Sequence, residues 1–520
     1  MNRCFILFLL LHGTLLRAQQ NDVPLQRDFS IDLERNAAKR EARIHTGLKP
    51  VIESRADLAN VQGFRKDSAR YYYLIATKVF RDRLLQVREG EVLLGADLIL
   101  GQEYGADRGD ATAYADTNLL YMSTRGVLVR GDIGPKVSFS TVFHENQGRV
   151  PQYLLRKTTE TGVLPGQGRV KIKDVNRLDF GWSQGAVSYS PAEWLNIQAG
   201  HAKHFVGHGY RSVLLSDNAV NTPCLQFSLL SRNKRWQYTW WYTKLMHGVT
   251  EDDRLPGGAS AENLFSWMRA TFHHLSVDLG RVQLGLFEAT LFRSISDGVN
   301  PLDPFALNPV IGVNTAALGF NREANALVGL DARLKITDRI YAYGQFATDG
   351  PDRFAWQAGA RAFDVGVRGL HLQAEYSTAT PFMYMGQMRP QAYMHAGQPL
   401  ANPLGTAYGE AVGIVEYGYK RWLLRAQMNM STWQRDPSDS LNLGTDLDRP
   451  DIGTPDEGEA MTSSMTFIDA SIQWLVNPNT NARIVGGIVR RDLPGAPDLA
   501  QSTYWYVGLR TLLFNRYHDL

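Results

Sequence analysis

The chain has 520 residues, 44% of them hydrophobic and 11% aromatic, with a mean hydropathy of −0.26. That is enough apolar material for a large core, and it excludes an intrinsically disordered chain. Lys and Arg number 55 against 52 Asp and Glu, a formal charge of +3 with no basic block, so the electrostatic case for a nucleic-acid partner is absent.

The first element is an apolar run from Phe5 to Leu16 that comes after Arg3 and ends near the small residue Ala18. It reads as a cleaved signal peptide over 1–18, because about a dozen residues is short of the roughly 20 that a spanning helix needs. Export with loss of Arg3 and Arg17 leaves a nearly neutral chain. Cys4 precedes the apolar run and leaves with it, so Cys224 remains as a solitary thiol and a disulfide framework is excluded.

Residues 19–70 differ in texture from the rest of the chain. SIDLERNAAKREAR, from Ser30 to Arg43, is charged and helix-favouring, with Ser30 as a candidate N-cap and Asp32 and Glu34 in the first turn. We read 19–70 as a periplasmic, helical extension that packs at or into a barrel mouth; a solvated helix with no docking face is the alternative.

From 71 to 520 the dominant signal is alternation with a period of two. In LHLQAEY, Leu370, Leu372, Ala374 and Tyr376 oppose His371, Gln373 and Glu375. In WLLRAQMNM, Trp422, Leu424, Ala426, Met428 and Met430 oppose Arg425, Gln427 and Asn429. In IDASIQWLV, Ile468, Ala470, Ile472, Trp474 and Val476 oppose Asp469, Ser471 and Gln473, and Trp505, Val507 and Leu509 oppose Tyr506 and Arg510 near the end. Aromatic residues near strand ends and charges in mid-strand favour an all-β, outer-membrane β-barrel with a wet lumen over a dry sandwich. About 430 residues, at roughly 10 per strand plus turns and loops, predict about 16–18 antiparallel strands. The partners implied are outer-membrane lipid outside and water or a plug within.

Several motifs invite a catalytic or metal reading. Gly181-Trp182-Ser183-Gln184-Gly185 spells G-x-S-x-G, but AVSYS after Gly185 continues as strand where a nucleophile elbow needs a helix. His201, His204 and His208 lack any supporting HExxH or paired cysteine; within a strand His204 and His208 would share a face that His201 does not. Neither a phosphate loop nor a dinucleotide fingerprint occurs, so no cofactor, no metal and no catalytic residue is expected. The Asp-rich stretch from Gln434 to Ser464 reads as a long extracellular loop; its DLDRPD, starting at Asp446, fails the calcium-loop pattern because Asp451 stands where glycine is required.

The run GHGYRSVLLSDNA from Gly207 to Ala219 carries a resemblance. With ENQGRVPQY (Glu145–Tyr153), NALVGLDARLKI (Asn325–Ile336), HAGQPLANPLG (His395–Gly405) and the final GLRTLLFNRYHDL, it resembles the Wzi-type capsule-assembly outer-membrane proteins, particularly their gliding-motility-associated branch in Bacteroidetes. The resemblance implies a non-catalytic barrel that anchors or helps assemble surface polysaccharide. For the gliding relatives it implies a connection with motility or type IX secretion proteins. A passive pore is the alternative from another class. The chain departs from the relatives at Asp217, which is asparagine in the enteric capsule proteins, and at its close, where Tyr517 is the nearest aromatic to Leu520. Two readings of the motif stay open. Gly207, Gly209 and Ser216 can shape a turn, and His208, Tyr210, Arg211, Asp217 and Asn218 can form a polar cluster, in the lumen or at its mouth, that meets glycan or plug.

Overall fold

The computed structural model describes residues 20–56, 71–173, 176–247, 266–292, 304–320, 324–386, 391–438, 441–447, 459–494, 501–511 and 515–520. Residues 1–18, expected to be a signal peptide, and most of the DLDRPD stretch lie outside them.

Eighteen antiparallel strands form the wall. The first six are β1 (Val92–Asp107), β2 (Leu120–Ile133), β3 (Val137–Arg149), β4 (Arg177–Ala192), β5 (Leu195–Ala202) and β6 (Thr222–Leu230). The middle six are β7 (Trp236–His247), β8 (Ser266–Asp278), β9 (Val282–Phe292), β10 (Ala324–Lys335), β11 (Ile340–Gly350) and β12 (Arg353–Ala362). The last six are β13 (Leu370–Ala379), β14 (Tyr408–Tyr419), β15 (Trp422–Arg435), β16 (Met461–Asn477), β17 (Ala482–Asp492) and β18 (Ser502–Thr511). Each pairs with its chain neighbour, and β18 closes on β1 through Leu509 opposite Gln102 and Tyr504 opposite Asp107. A short strand, Leu85–Glu89, folds back on the start of β1 in line with β18.

The alternation sets the faces as expected. Leu372, Tyr376, Leu424, Met428, Ile472, Trp505 and Val507 are exposed on the outer wall, whereas His371, Gln373, Glu375, Gln427, Asn429 and Gln473 are buried within it. A wall that is apolar outside and polar inside suits lipid without and a filled lumen within. No helix among the described residues is long and apolar enough to cross a membrane.

One end of the barrel carries only short turns, such as 134–136, 193–194 and 420–421, and the other carries long connections such as 150–176, 203–221 and 380–407. By the rule for outer-membrane barrels, the short-turn end faces the periplasm.

The core sits inside the wall. Connection 203–221 folds into the lumen, where Val213, Leu214 and Leu215 pack with Trp241, Phe272 and Phe287 of the wall and with Tyr384 and Tyr393 of connection 380–407. Burying each of those aliphatic chains contributes about 1.5–3 kcal/mol. Helix α1 (Arg27–Ala37) enters from the short-turn end and is buried among lumen side chains. It starts before Ser30 and stops short of Arg43. Ser30 is therefore not its N-cap: its backbone N–H already bonds Gln26 O, and its hydroxyl donates to Arg27 O. The cap comes from far away, since Asn515 Oδ1 accepts the N–H of Arg27. Leu48–Lys49 then pairs antiparallel with Phe205–Val206 of the inward connection. Residues 515–520, beyond the last strand, also lie in the lumen.

Candidate functional site

Three stretches of the chain meet in the lumen: the N-terminal segment 20–56, the inward connection 203–221 and the tail 515–520. Their meeting point is the Gly207–Ala219 motif. Gly207 has φ +128°; its N–H donates to Gly47 O at 2.6 Å, and its carbonyl accepts from Lys49 Nζ at 2.7 Å. A Cβ here would lie 2.3 Å from Gln345 Nε2. At Gly209 a Cβ would come within 2.7 Å of Glu375 Oε2 and 2.9 Å of the Arg211 carbonyl. Glycine is required at both positions because the chain passes against the wall, where Glu375 accepts the backbone N–H groups of Tyr210 (2.7 Å) and Arg211 (2.8 Å).

Arg211 is fully buried. Its Nε and Nη2 make a bidentate pair with Glu410 of β14, both at 2.9 Å, and Nη2 also reaches the Asp519 carbonyl at 2.8 Å and its carboxylate at 3.1 Å. Burial opposes the guanidinium charge; Asp519 and Glu410 more than offset it and raise the Arg211 pKa well above its ordinary value. The remaining carboxylate lone pairs are filled as a buried ion pair requires. Asn402 and Asn429 donate to Glu410, and Gln427, Asn429 and the Tyr210 hydroxyl donate to Asp519. Arg27 of α1 stacks 3.4 Å above the Tyr210 ring and bonds its carbonyl, tying the N-terminal segment to the same point.

Asp217 faces the tail as well: its carboxylate accepts from the Tyr517 hydroxyl and from Asn515 Nδ2, and its carbonyl accepts from Lys203 Nζ. Ser216 Oγ accepts the Asn218 N–H and shapes the local turn, and Asn218 is buried beside it. His208 packs edge-on to Tyr341, with Thr46 Oγ1 3.4 Å from Nδ1 and Asp331 3.7 Å from Nε2. Burial lowers its pKa to about 4, so the ring is neutral at pH 7. The structure therefore brings His208, Tyr210, Arg211, Asp217 and Asn218 into the lumen, where they meet the chain's own plug segments. Sequence reasoning missed Glu375, Glu410, Asp519 and Arg27. Two glutamates on the wet face, Glu375 in the middle of β13 and Glu410 near the start of β14, were the available signal.

The other candidates separate. His201, His204 and His208 do not share one strand: β5 ends at Ala202, and the latter two lie in the inward connection. His204 stacks 4.6 Å from Trp241 and bonds Gln226, while His201 contacts Ser183 O and Asn221. No group of three metal-ligating side chains converges among the described residues. Ser183 stands exposed in the middle of β4, which continues to Ala192, so no strand-to-helix elbow is formed.

Neither a family model nor a curated protein matches the sequence. Solved structures do match in fold. Pseudomonas aeruginosa OpdQ aligns at TM-score 0.43 and 11% identity over 81% of this chain and 98% of that one. P. aeruginosa OprD aligns at TM-score 0.42 and 8% identity over 80% and 94%. Wzi of Escherichia coli, described as an outer-membrane protein involved in group 1 capsule assembly and a carbohydrate-binding β-barrel, aligns at TM-score 0.54 and 10% identity over 95% of this chain and all of that one. The chain thus has the fold of an outer-membrane barrel of the Wzi kind.

Proposed function

We propose that the protein is a non-catalytic outer-membrane barrel that holds surface polysaccharide at its outer end. The observation that carries this reading is the filled lumen: three segments of the chain are locked together there by the buried Arg211–Asp519 ion pair and by hydrogen bonds from Arg27 and Lys49, an arrangement suited to an anchor and unsuited to a wide pore. The fold likeness to a carbohydrate-binding barrel supports it. The outer end suggests the charge of the ligand, because the stretch from Arg149 to Asp179 carries seven basic residues against three acidic ones. Arg156, Lys157, Lys171 and Lys173 are exposed there. This surface fits an acidic glycan, whose carboxylates cationic side chains recognise.

Affinity electrophoresis of the refolded protein through a polyuronate and through a neutral glucan tests the reading. Retardation by the polyuronate alone, weakened in Lys157→Gln/Lys171→Gln, is expected. Equal mobility in both gels would overturn it.

A further inference from the structure

One patch of the outer wall is polar and yet buried. On β8 and β9 the outward positions include Thr271, His273, Glu288 and Thr290, all polar and all buried, whereas outward residues such as Leu284 and Leu286 on the same strand β9 are apolar and exposed. They are covered by part of the connection between β9 and β10. Residues 304–320, PFALNPVIGVNTAALGF, run down the outside of β7–β10 and include helix α2 (Val313–Leu318). We propose that this strap is immersed in the bilayer, with lipid acyl chains as the partner of its outer face.

Three observations carry the proposal. The first is depth. Trp236 begins β7 at the short-turn end, and Trp267 pairs with Met246 near the other end of that strand; both rings are exposed and mark the two interfacial levels. The separation is about ten residues, which at roughly 3.3 Å each and a tilt near 40° spans about 25 Å, the height of a barrel's apolar band. The strap is fastened between these levels, because Tyr238 and Tyr242 donate their hydroxyls to Pro309 O and Leu307 O.

The second is chemistry. The strap contains no charged residue, and Leu307, Val310 and Val313 point outward with about half of each side chain exposed (53%, 52% and 41%). Leu284, Leu286 and Leu330 are exposed on the same side of the wall, on β9 and β10.

The third is backbone accounting. Irregular backbone at membrane depth is tolerated only where protein satisfies its polar groups. The wall's outward polar side chains do this here. Thr271 Oγ1 donates to Ala306 O at 2.8 Å, and the Ile311 N–H bonds Tyr238 Oη at 3.0 Å. Glu288 accepts the N–H of Gly312 at 2.6 Å and, at 2.9 Å, the N–H of Thr315. Asn314 closes the strap on itself through Phe305 O. With its hydroxyl proton given to Pro309, Tyr238 must accept from His273 Nδ1, 2.8 Å away, which assigns that proton to Nδ1. A connection bathed in water would need none of these donors and acceptors.

The test uses the full chain carrying Cys4→Ala and Cys224→Ala, so that the introduced thiol is the only one, refolded into vesicles with a nitroxide on Val310→Cys, Leu284→Cys or Arg232→Cys. Leu284 faces lipid on the bare wall, and Arg232 lies in an exposed short turn. Collision with oxygen and with a water-soluble nickel chelate is measured for each label. The proposal expects the Val310 label to match Leu284, with oxygen favoured over the chelate, and Arg232 to show the reverse. A Val310 label that matches Arg232 would place the strap in water, and one shielded from both reagents would place a second copy over it; either overturns the proposal. Val313→Cys serves on the same face if the Val310 variant does not fold.

Discussion

Two carboxylates are buried on opposite sides of the same wall and are held by different chemistry. Glu410 points into the lumen and meets a full counter-charge in the guanidinium of Arg211, with amide donors filling its other lone pairs. Glu288 points outward under the strap and is held by the N–H groups at the start of a short helix and by the Thr315 hydroxyl. The lumen cluster joins segments far apart in the chain, residues 27, 211, 410 and 519, so it ties the plug to the barrel. The outer cluster joins β9 to the connection leading on to β10. Charge pairing thus secures the plug, and backbone capping secures the strap.

Removing the cation should do the greatest damage. Arg211→Met leaves Glu410 and Asp519 buried without their partner, and a loss of about 3–5 kcal/mol of stability is expected. It would be read as earlier heat-induced conversion to the unfolded gel form. Adding Glu410→Gln to Arg211→Met should recover part of that loss, since one uncompensated charge goes with it.

Acid should loosen the plug next. Burial alone would raise the pKa of Glu34 in α1, but Lys49, with His208, Arg361 and Arg333, overcomes this and lowers it from 4.5 to about 2. A carboxylate depressed in the folded state stabilises fully above its unfolded pKa and loses that contribution as pH falls through the folded one, so the window runs from about 4.5 down to 2. The contribution is on the order of 3 kcal/mol. Protection against hydrogen exchange over residues 27–49, corrected for the intrinsic pH dependence of amide exchange, should hold between pH 8 and 5 and should fall below that; flat protection down to pH 2 would argue against the Glu34–Lys49 pair as a fastening.

On the outer side the response should be local. Glu288→Ala strands the Gly312 and Thr315 donors at a cost of about 1–3 kcal/mol. The strap should become open to protease while the barrel's unfolding midpoint barely moves; a fall in the midpoint as large as that of Arg211→Met would erase the distinction between the clusters. The smallest response should come from Ser183→Ala, which removes an exposed hydroxyl in mid-strand. A change within about 0.5 kcal/mol is expected, and any loss of an esterase activity would reopen the hydrolase motif.

The barrel was legible because a wall between lipid and lumen writes period two into every strand, and residues such as Met428 and Asn429 declare their faces without further context. The motif at Gly207–Ala219 was visible as an oddity, but its partners were not. Glu375, Glu410 and Asp519 stand more than 150 residues away, and no local pattern pairs them with Arg211. The helix boundary failed for the same reason, since the group that caps Arg27 is Asn515. The strap did leave a trace. His273 and Glu288 sit on the greasy phase of their strands, and a polar residue out of phase in a barrel wall signals that something other than lipid covers it.

Above all, the protein's own chain fills its barrel, and conductance of the refolded protein in planar bilayers reads this directly. A plugged lumen leaves the membrane silent for the intact chain at neutral pH. Steady open-channel currents from the intact chain would show that the lumen is not plugged.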